Sequence, residues 1–313
     1  MALRLLAPLT AVLVLVGCAA APPGASPGGA LPIVVATTTQ VGSLASEIGG
    51  EQIDLSVLLE PGIEAHDFEL STSDAAALER ADVILKSGAG LESWLDDALE
   101  TIGDADRVRD MSAGVTLREG SGDAHEEEEA GHEEEHDPHY WLSAANAILM
   151  AQNVREAITE VAPESADLFA ERTDAIVARL ERADTQIRVL IDEIPEGDRK
   201  LVTDHDALGY FAEAYGLEVV GFVFPMSDVA AEPSAADIAE LVAAIRENNV
   251  RAIFPESAVN PRLAEAVAEE TATLLVSEPL YSDALGPAGS GADTLDGMLL
   301  HNARVIRDAL IGD

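Results

Sequence analysis

Residues 164–193 read ESADLFAERTDAIVARLERADTQIRVLIDE, a run of 30 residues with neither proline nor glycine. Leu168, Ile176, Leu180, Ile187 and Ile191 recur along it at roughly helical spacing. At about 1.5 Å per residue such a helix is about 45 Å long, more than the width of a small domain. Pro163 stands just ahead of it, and Pro195-Glu196-Gly197 ends it. Residues 143–196 as a whole are expected to form connecting helices.

Short apolar strands alternate with helical patterns on both sides of this connector. Upstream, Pro32-Ile33-Val34-Val35-Ala36 opens a strand, followed by a helix over 41–48 and a strand over 53–59. A helix over 73–80, capped by Ser73 or Asp74, leads to a strand over 83–86, a helix over 91–102 and a short strand near Val108. Downstream, strands are expected over 200–203, 218–223, 252–254 and 273–276, with helices over 207–215, 235–248, 261–271 and 293–310. This alternation predicts an α/β protein of two lobes, each with a mainly parallel sheet flanked by helices. The lobes take residues 32–142 and 197–313, joined by one long, rigid backbone helix.

The chain has 313 residues, of which 48% are apolar and 24% charged, the composition of a globular protein rather than a disordered one. Lys and Arg number 18 against 58 Asp and Glu, a net charge of −40. A surface of that sign repels phosphate backbones, so no nucleic-acid partner is expected. Residues 1–17 read as a signal peptide, with Arg4 before an apolar run, and Leu15-Val16-Gly17-Cys18 resembles the lipobox of bacterial lipoproteins. In such proteins the cysteine is acylated and becomes the first residue. Cys18 is the sole cysteine, so disulfides, Cys-based zinc sites and redox pairs within the chain are excluded. Residues 18–31, rich in Pro, Gly, Ala and Ser, then form a flexible tether. The expected location is outside the cytoplasmic membrane, held to it by lipid. Residues 120–136, GSGDAHEEEEAGHEEEH, offer no apolar residue larger than Ala and read as a surface loop.

Ligands of open α/β sheets bind beyond the carboxyl ends of the strands. His66 follows the strand over 53–59, His205 the strand over 200–203, and Asp283 the strand over 273–276. His139 enters the helical connector just after the acidic loop, where it can face the same crevice. Three neutral imidazoles and a carboxylate suit a borderline divalent ion, above all Zn²⁺. Spacing alone leaves a metal site and unrelated surface or core histidines evenly matched.

Four segments break that tie: GIEAHDFE (62–69), DPHYWL (137–142), TDHDALGYF (203–211) and LYSDALG (280–286). Together, and in this order, they resemble the motifs of the zinc/manganese-binding proteins of bacterial ABC importers, the TroA-like or ZnuA-like family. The resemblance runs from about Ile33 to the C-terminus. It implies two lobes joined by a backbone helix with metal at their interface, and His66, His139, His205 and Asp283 match the ligand positions. The family's third ligand is Glu in some members associated with manganese, so His205 points to Zn²⁺, with Mn²⁺ as the alternative cargo.

Other residues carry expectations of their own. Glu256, in Phe254-Pro255-Glu256-Ser257, is placed either to accept from a ligand imidazole or to start the helix near Pro261. Asp137 and Asp204 each neighbour a ligand histidine and either orient it or face solvent. His301, on the last amphipathic helix, is expected to have no function. The acidic loop resembles the His-rich loop of zinc-specific members, which makes His125, His132 and His136 auxiliary zinc-capture groups. The implied partners are a membrane permease and a separate cytoplasmic ATPase, since the chain has no GxxxxGK(S/T) motif. A monomer is expected. A fourth protein ligand closes the site, so an enzyme is not expected. A surface adhesin or passive metal buffer on the same scaffold is the rival reading.

Overall fold

Val34, Val35 and Ala36 are fully buried in succession. A strand covered on both faces is the mark of a central position in a parallel sheet. The computed structural model, which describes residues 30–66, 68–102, 105–120, 136–224 and 233–312, puts them there. Strand β1 (Ile33–Ala36) lies between β2 (Asp54–Val57) and β3 (Val83–Lys86), with β4 (Val108–Asp110) beyond β3. All three pairings are parallel. Helices α1 (Thr39–Gly49), α2 (Thr72–Arg80) and α3 (Ser93–Ile102) make the crossovers. The cap of α2 is Ser71, not Ser73 or Asp74. Its hydroxyl accepts from the Asp74 N–H while the Asp74 carboxylate accepts from the Ser71 N–H, so each satisfies a donor that the helix start leaves open.

The connector is two helices, α4 (Ala144–Val161) and α5 (Ala166–Asp192). The expected start at residue 164 is delayed because Pro163–Ser165 turns as a 3₁₀ helix. The 27 residues of α5 still give about 40 Å. Its buried stripe is Phe169, Thr173, Ile176, Leu180, Ala183, Ile187 and Ile191, steps of three and four. Phe169, rather than Leu168, begins it. The helix packs on α1 and α4, and further along on α6 (Gly209–Tyr215) and the closing helix.

The second half pairs β5 (Lys200–Thr203) in parallel with β6 (Glu218–Phe222), and β7 (Ala252–Ile253) with β8 (Leu274–Leu275). A parallel bridge from Thr203 to Phe254 joins the two pairs. Helices α7 (Ala235–Asn248), α8 (Arg262–Thr271) and α9 (Leu295–Ile311) complete it. Leu31–Asp313 forms one compact unit. One apolar cluster runs from β1 and β3 through α4 and α5 to α6 and α9, and a smaller one, around Val202, Val223 and Ile245, lies in the second half. Among the described residues no helix is long and apolar enough to cross a membrane. The segment expected to be a signal peptide, Cys18 and nearly all of the expected tether lie outside the described residues, as do His125 and His132.

Candidate metal centre

Each half sends side chains to one place, beyond the carboxyl ends of its strands. His66 lies in the connection from β2 to α2, and His205 in the turn from β5 to α6. His139 directly precedes a 3₁₀ turn, Tyr140–Leu142, whose three side chains are fully buried. That turn is pinned on both sides: the Tyr140 hydroxyl donates to the Ser87 carbonyl at 2.8 Å, and the Trp141 indole to the Ser282 carbonyl at 3.0 Å.

Asp283 sits on a loop between β8 and α9 that is held from several directions. Asn302 of α9, fully buried, accepts from the Tyr281 N–H at 3.0 Å and donates to the Tyr281 carbonyl at 2.7 Å. Gln40 of α1 donates to the Ser282 carbonyl at 3.1 Å, and the Thr39 hydroxyl accepts from the Leu285 N–H at 2.8 Å. His301, for which no function was expected, donates through Nε2 to the Pro279 carbonyl at 3.0 Å. It helps hold the loop rather than touching the centre.

The result is a cluster of His66, His139, His205 and Asp283 whose potential donor atoms all lie within 4.8 Å of one another. His139 Nε2 is 3.2 Å from His66 Nε2, 3.3 Å from His205 Nε2 and 3.0 Å from Asp283 Oδ1. His205 Nε2 is 3.3 Å from Asp283 Oδ2. Donors at about 2.0–2.1 Å around a tetrahedral ion stand roughly 3.3 Å apart. These four spacings are close to that value, while His66 Nε2 stands wider from Asp283 Oδ1, at 3.8 Å, and a divalent ion relieves the crowding of the facing ring nitrogens. His139, His205 and Asp283 are essentially inaccessible, while the His66 side chain keeps 14% of its surface exposed. His66 therefore forms the open side.

Carboxylates stand behind two of the rings. Asp137 Oδ1 accepts from His139 Nδ1 at 2.8 Å and from its backbone N–H at 2.9 Å, which commits Nε2 of that ring to the centre. Arg118 holds the other Asp137 oxygen at 3.1 Å. Glu256 Oε1 accepts from the His205 backbone N–H at 3.0 Å. Its Oε2 is 3.1 Å from His205 Nδ1, at ion-pair distance but without hydrogen-bond alignment. Glu256 is buried and α8 begins only at Arg262, so its place behind His205 describes it better than a helix start. Asp204 is buried too, but its Oδ2 accepts from the Glu256 N–H at 2.7 Å. It braces Glu256, with no hydrogen bond to the His205 ring. Neither Asp137 nor Asp204 faces solvent.

Protonation follows from these contacts. Burial lowers His66 to about 4, against the pull of Asp283. Burial also works against charge on His139, but hydrogen bonds to Asp137 and Asp283 prevail and raise it to about 9. His205 is likewise opposed by burial, yet the charges of Glu256 and Asp283 hold it well above the ordinary imidazole value. Asp283 is pushed up by burial and more strongly down by His205 and His139, ending well below the usual carboxylate range. Burial, reinforced by Glu256, raises Asp204 to about 7.

Of the remaining sequence expectations, His136 is exposed and bridges to Glu119, away from the cluster's hydrogen bonds. Sequence reasoning passed over Asn302, Gln40, Trp141 and Arg118. Asn302 alone left a signal, a polar residue on the apolar stripe of an amphipathic helix.

Residues 34–309 match the family of the periplasmic zinc-uptake complex component A, ZnuA. The manganese-binding lipoprotein MntA of Bacillus subtilis is 32% identical over 306 residues, 96% of this chain and 97% of the relative. The zinc-binding protein TroA of Treponema pallidum is 30% identical over 283 residues, 89% of each. A solved structure of the periplasmic zinc-binding protein TroA from Treponema pallidum superimposes with a TM-score of 0.80 at 30% identity, covering 90% of this chain and 99% of that one.

Proposed function

The chain belongs to the family of periplasmic zinc-uptake components, and from that premise we propose that it is an extracytoplasmic receptor that captures Zn²⁺ on His66, His139, His205 and Asp283 and delivers it to the permease of an ABC importer. The observation that carries the reading is the convergence of three Nε2 atoms and one buried carboxylate at the spacing of a tetrahedral ion. The ion is cargo: it sheds its water, takes four protein donors and is held between residues of the two sheet-bearing halves. Its binding energy favours the gathered arrangement over any more open one. Four donors from the protein leave no coordination position for a reactive water, which favours a receptor over a hydrolase.

Zinc is favoured over manganese because three of the four donors are imidazole nitrogens. Manganese is the second reading, supported by the relative in Bacillus subtilis that is named for binding it. In this reading residues 32–142 and 197–313 act as the two lobes, with 143–196 as the connector between them. Acylated Cys18 anchors a monomer to the membrane, residues 18–31 let it reach the permease, and a separate cytoplasmic ATPase powers transport. His125, His132 and His136 raise the local Zn²⁺ concentration as auxiliary groups. Competition titration of the metal-stripped protein with Zn²⁺ and Mn²⁺, beside His205→Glu, tests the choice of ion. Tight zinc with weak manganese, and a narrower gap in the variant, is the expected result; manganese binding as tight as zinc in the parent overturns the zinc assignment.

A further inference from the structure

Arg118 follows β4 in the first half of the chain, yet it is docked on α6 of the second. Its guanidinium donates to Oδ2 of the buried Asp137 at 3.1 Å, pairs with the exposed Glu213 at 3.0 Å and lies over the Tyr210 ring at 5.4 Å. The backbone is tied as well. The Arg118 carbonyl accepts from the Asp137 N–H at 3.0 Å, and the Tyr210 hydroxyl accepts from the Arg118 N–H at 2.8 Å and donates to the Asp137 carbonyl at 3.1 Å. Arg118 and Asp137, 19 positions apart in sequence, are thus held side by side against a helix of the other half. Gly209 opens α6 at this pair, and a Cβ there would overlap the Arg118 guanidinium and crowd Asp137 Oδ2. The close approach exists because that position has no side chain.

We propose that Arg118 is a positioning residue: seated on α6, it fixes the Asp137 carboxylate behind His139 and thereby aims the His139 ring at the ion. The assignment rests on the metal-receptor reading above. Asp137 commits Oδ1 to the ring and backbone of His139, and a ring is oriented only as firmly as the carboxylate behind it. The charge-assisted bond to Oδ2 supplies that hold, and burial of Asp137 keeps water from competing for it. The Glu213 pair is exposed and adds little. Because α6 begins shortly after His205, the arrangement makes the aim of one ligand depend on the helix that follows another. Loosening Arg118 therefore speeds release of the ion more than it slows capture.

Arg118→Met tests this, because it removes the charge and the donors while keeping the aliphatic bulk. Release of Zn²⁺ from the loaded protein to excess EDTA gives the dissociation rate. The proton resonance of His139 Nδ1, in its bond to Asp137, reports the aim of the ring. The expected result is release about tenfold faster or more, the scale on which partners of metal ligands act, with that resonance moved upfield. Should Arg118→Met fail to fold, Gly209→Ala carries the same test. It displaces the guanidinium by its Cβ alone, and Ala is the better helix former, so a role confined to stability predicts no loss. Release within about threefold of the parent, or a His139 resonance that stays in place, overturns the Arg118 assignment and leaves the receptor reading standing. Absence of a tight Zn²⁺ site in the parent overturns both.

Discussion

Metal binding should release protons well above the pH at which ordinary histidines do so. His139 is raised to about 9 in the metal-free protein, because Asp137 and Asp283 outweigh its burial. At pH 8 it is protonated roughly ten to one, and at pH 7 roughly a hundred to one. An ion that takes Nε2 must displace that proton, which weakens binding at pH 7 by about a hundredfold, ~2.7 kcal/mol, relative to the fully deprotonated site. His205 is held well above the usual value and adds to the release, while His66, lowered to about 4, contributes nothing. Calorimetric titration in buffers of different ionisation enthalpy counts the protons, and at pH 8 should find about one or more per ion. The sign for stability runs the other way in the metal-free protein. The contribution of His139 is fully present below about 6.5 and is lost as pH rises through about 9. The thermal shift on adding metal should therefore grow over that window. Asp137→Asn, which removes the largest support for the charged ring, should shrink both the release and the pH slope. Release near zero at pH 8, with affinity flat from pH 7.5 to 8.5, would refute this account of His139.

Asn302→Ala removes both hydrogen bonds that hold the Tyr281 backbone and leaves buried groups unpaired. It should destabilise the protein by about 1–3 kcal/mol and weaken metal binding, although Asn302 donates nothing to the ion. Urea unfolding and metal titration of the same variant measure both, and unchanged affinity would show that the Asp283 loop holds itself. Ile187→Ala, in the fully buried stripe of α5, should cost about 2–5 kcal/mol in urea unfolding while leaving the proton count of metal binding as it was.

The architecture was legible because its signals are periodic. The 3.6-residue repeat of α5 and the doubly buried runs at Val34–Ala36 and Leu201–Val202 need no distant partner to be recognised. What failed was local competition. Pro163 formed a 3₁₀ turn where a helix start was expected, and Ser71 took the cap of α2 because its reciprocal bonds with Asp74 satisfy two donors. Placement of His66, His205 and Asp283 after strands announced a crevice, and motif resemblance chose the four residues that the fold brings together. The supports were hidden for a different reason. Gln40, Trp141 and Asn302 all bind the backbone beside Asp283, yet lie 243, 142 and 19 positions from it, and no periodicity links them. Asp204 showed the limit of adjacency: it neighbours His205 in sequence, but its hydrogen bond goes to Glu256.

The central claim is that three imidazoles and one carboxylate gather a single ion. X-ray absorption at the zinc edge, on protein loaded with one equivalent, tests it most directly. The account predicts a four-donor shell of three imidazole nitrogens and one oxygen at about 2.0 Å. Fewer than two imidazoles in the shell, or zinc scattered in hydrated form over several weak sites, would contradict it.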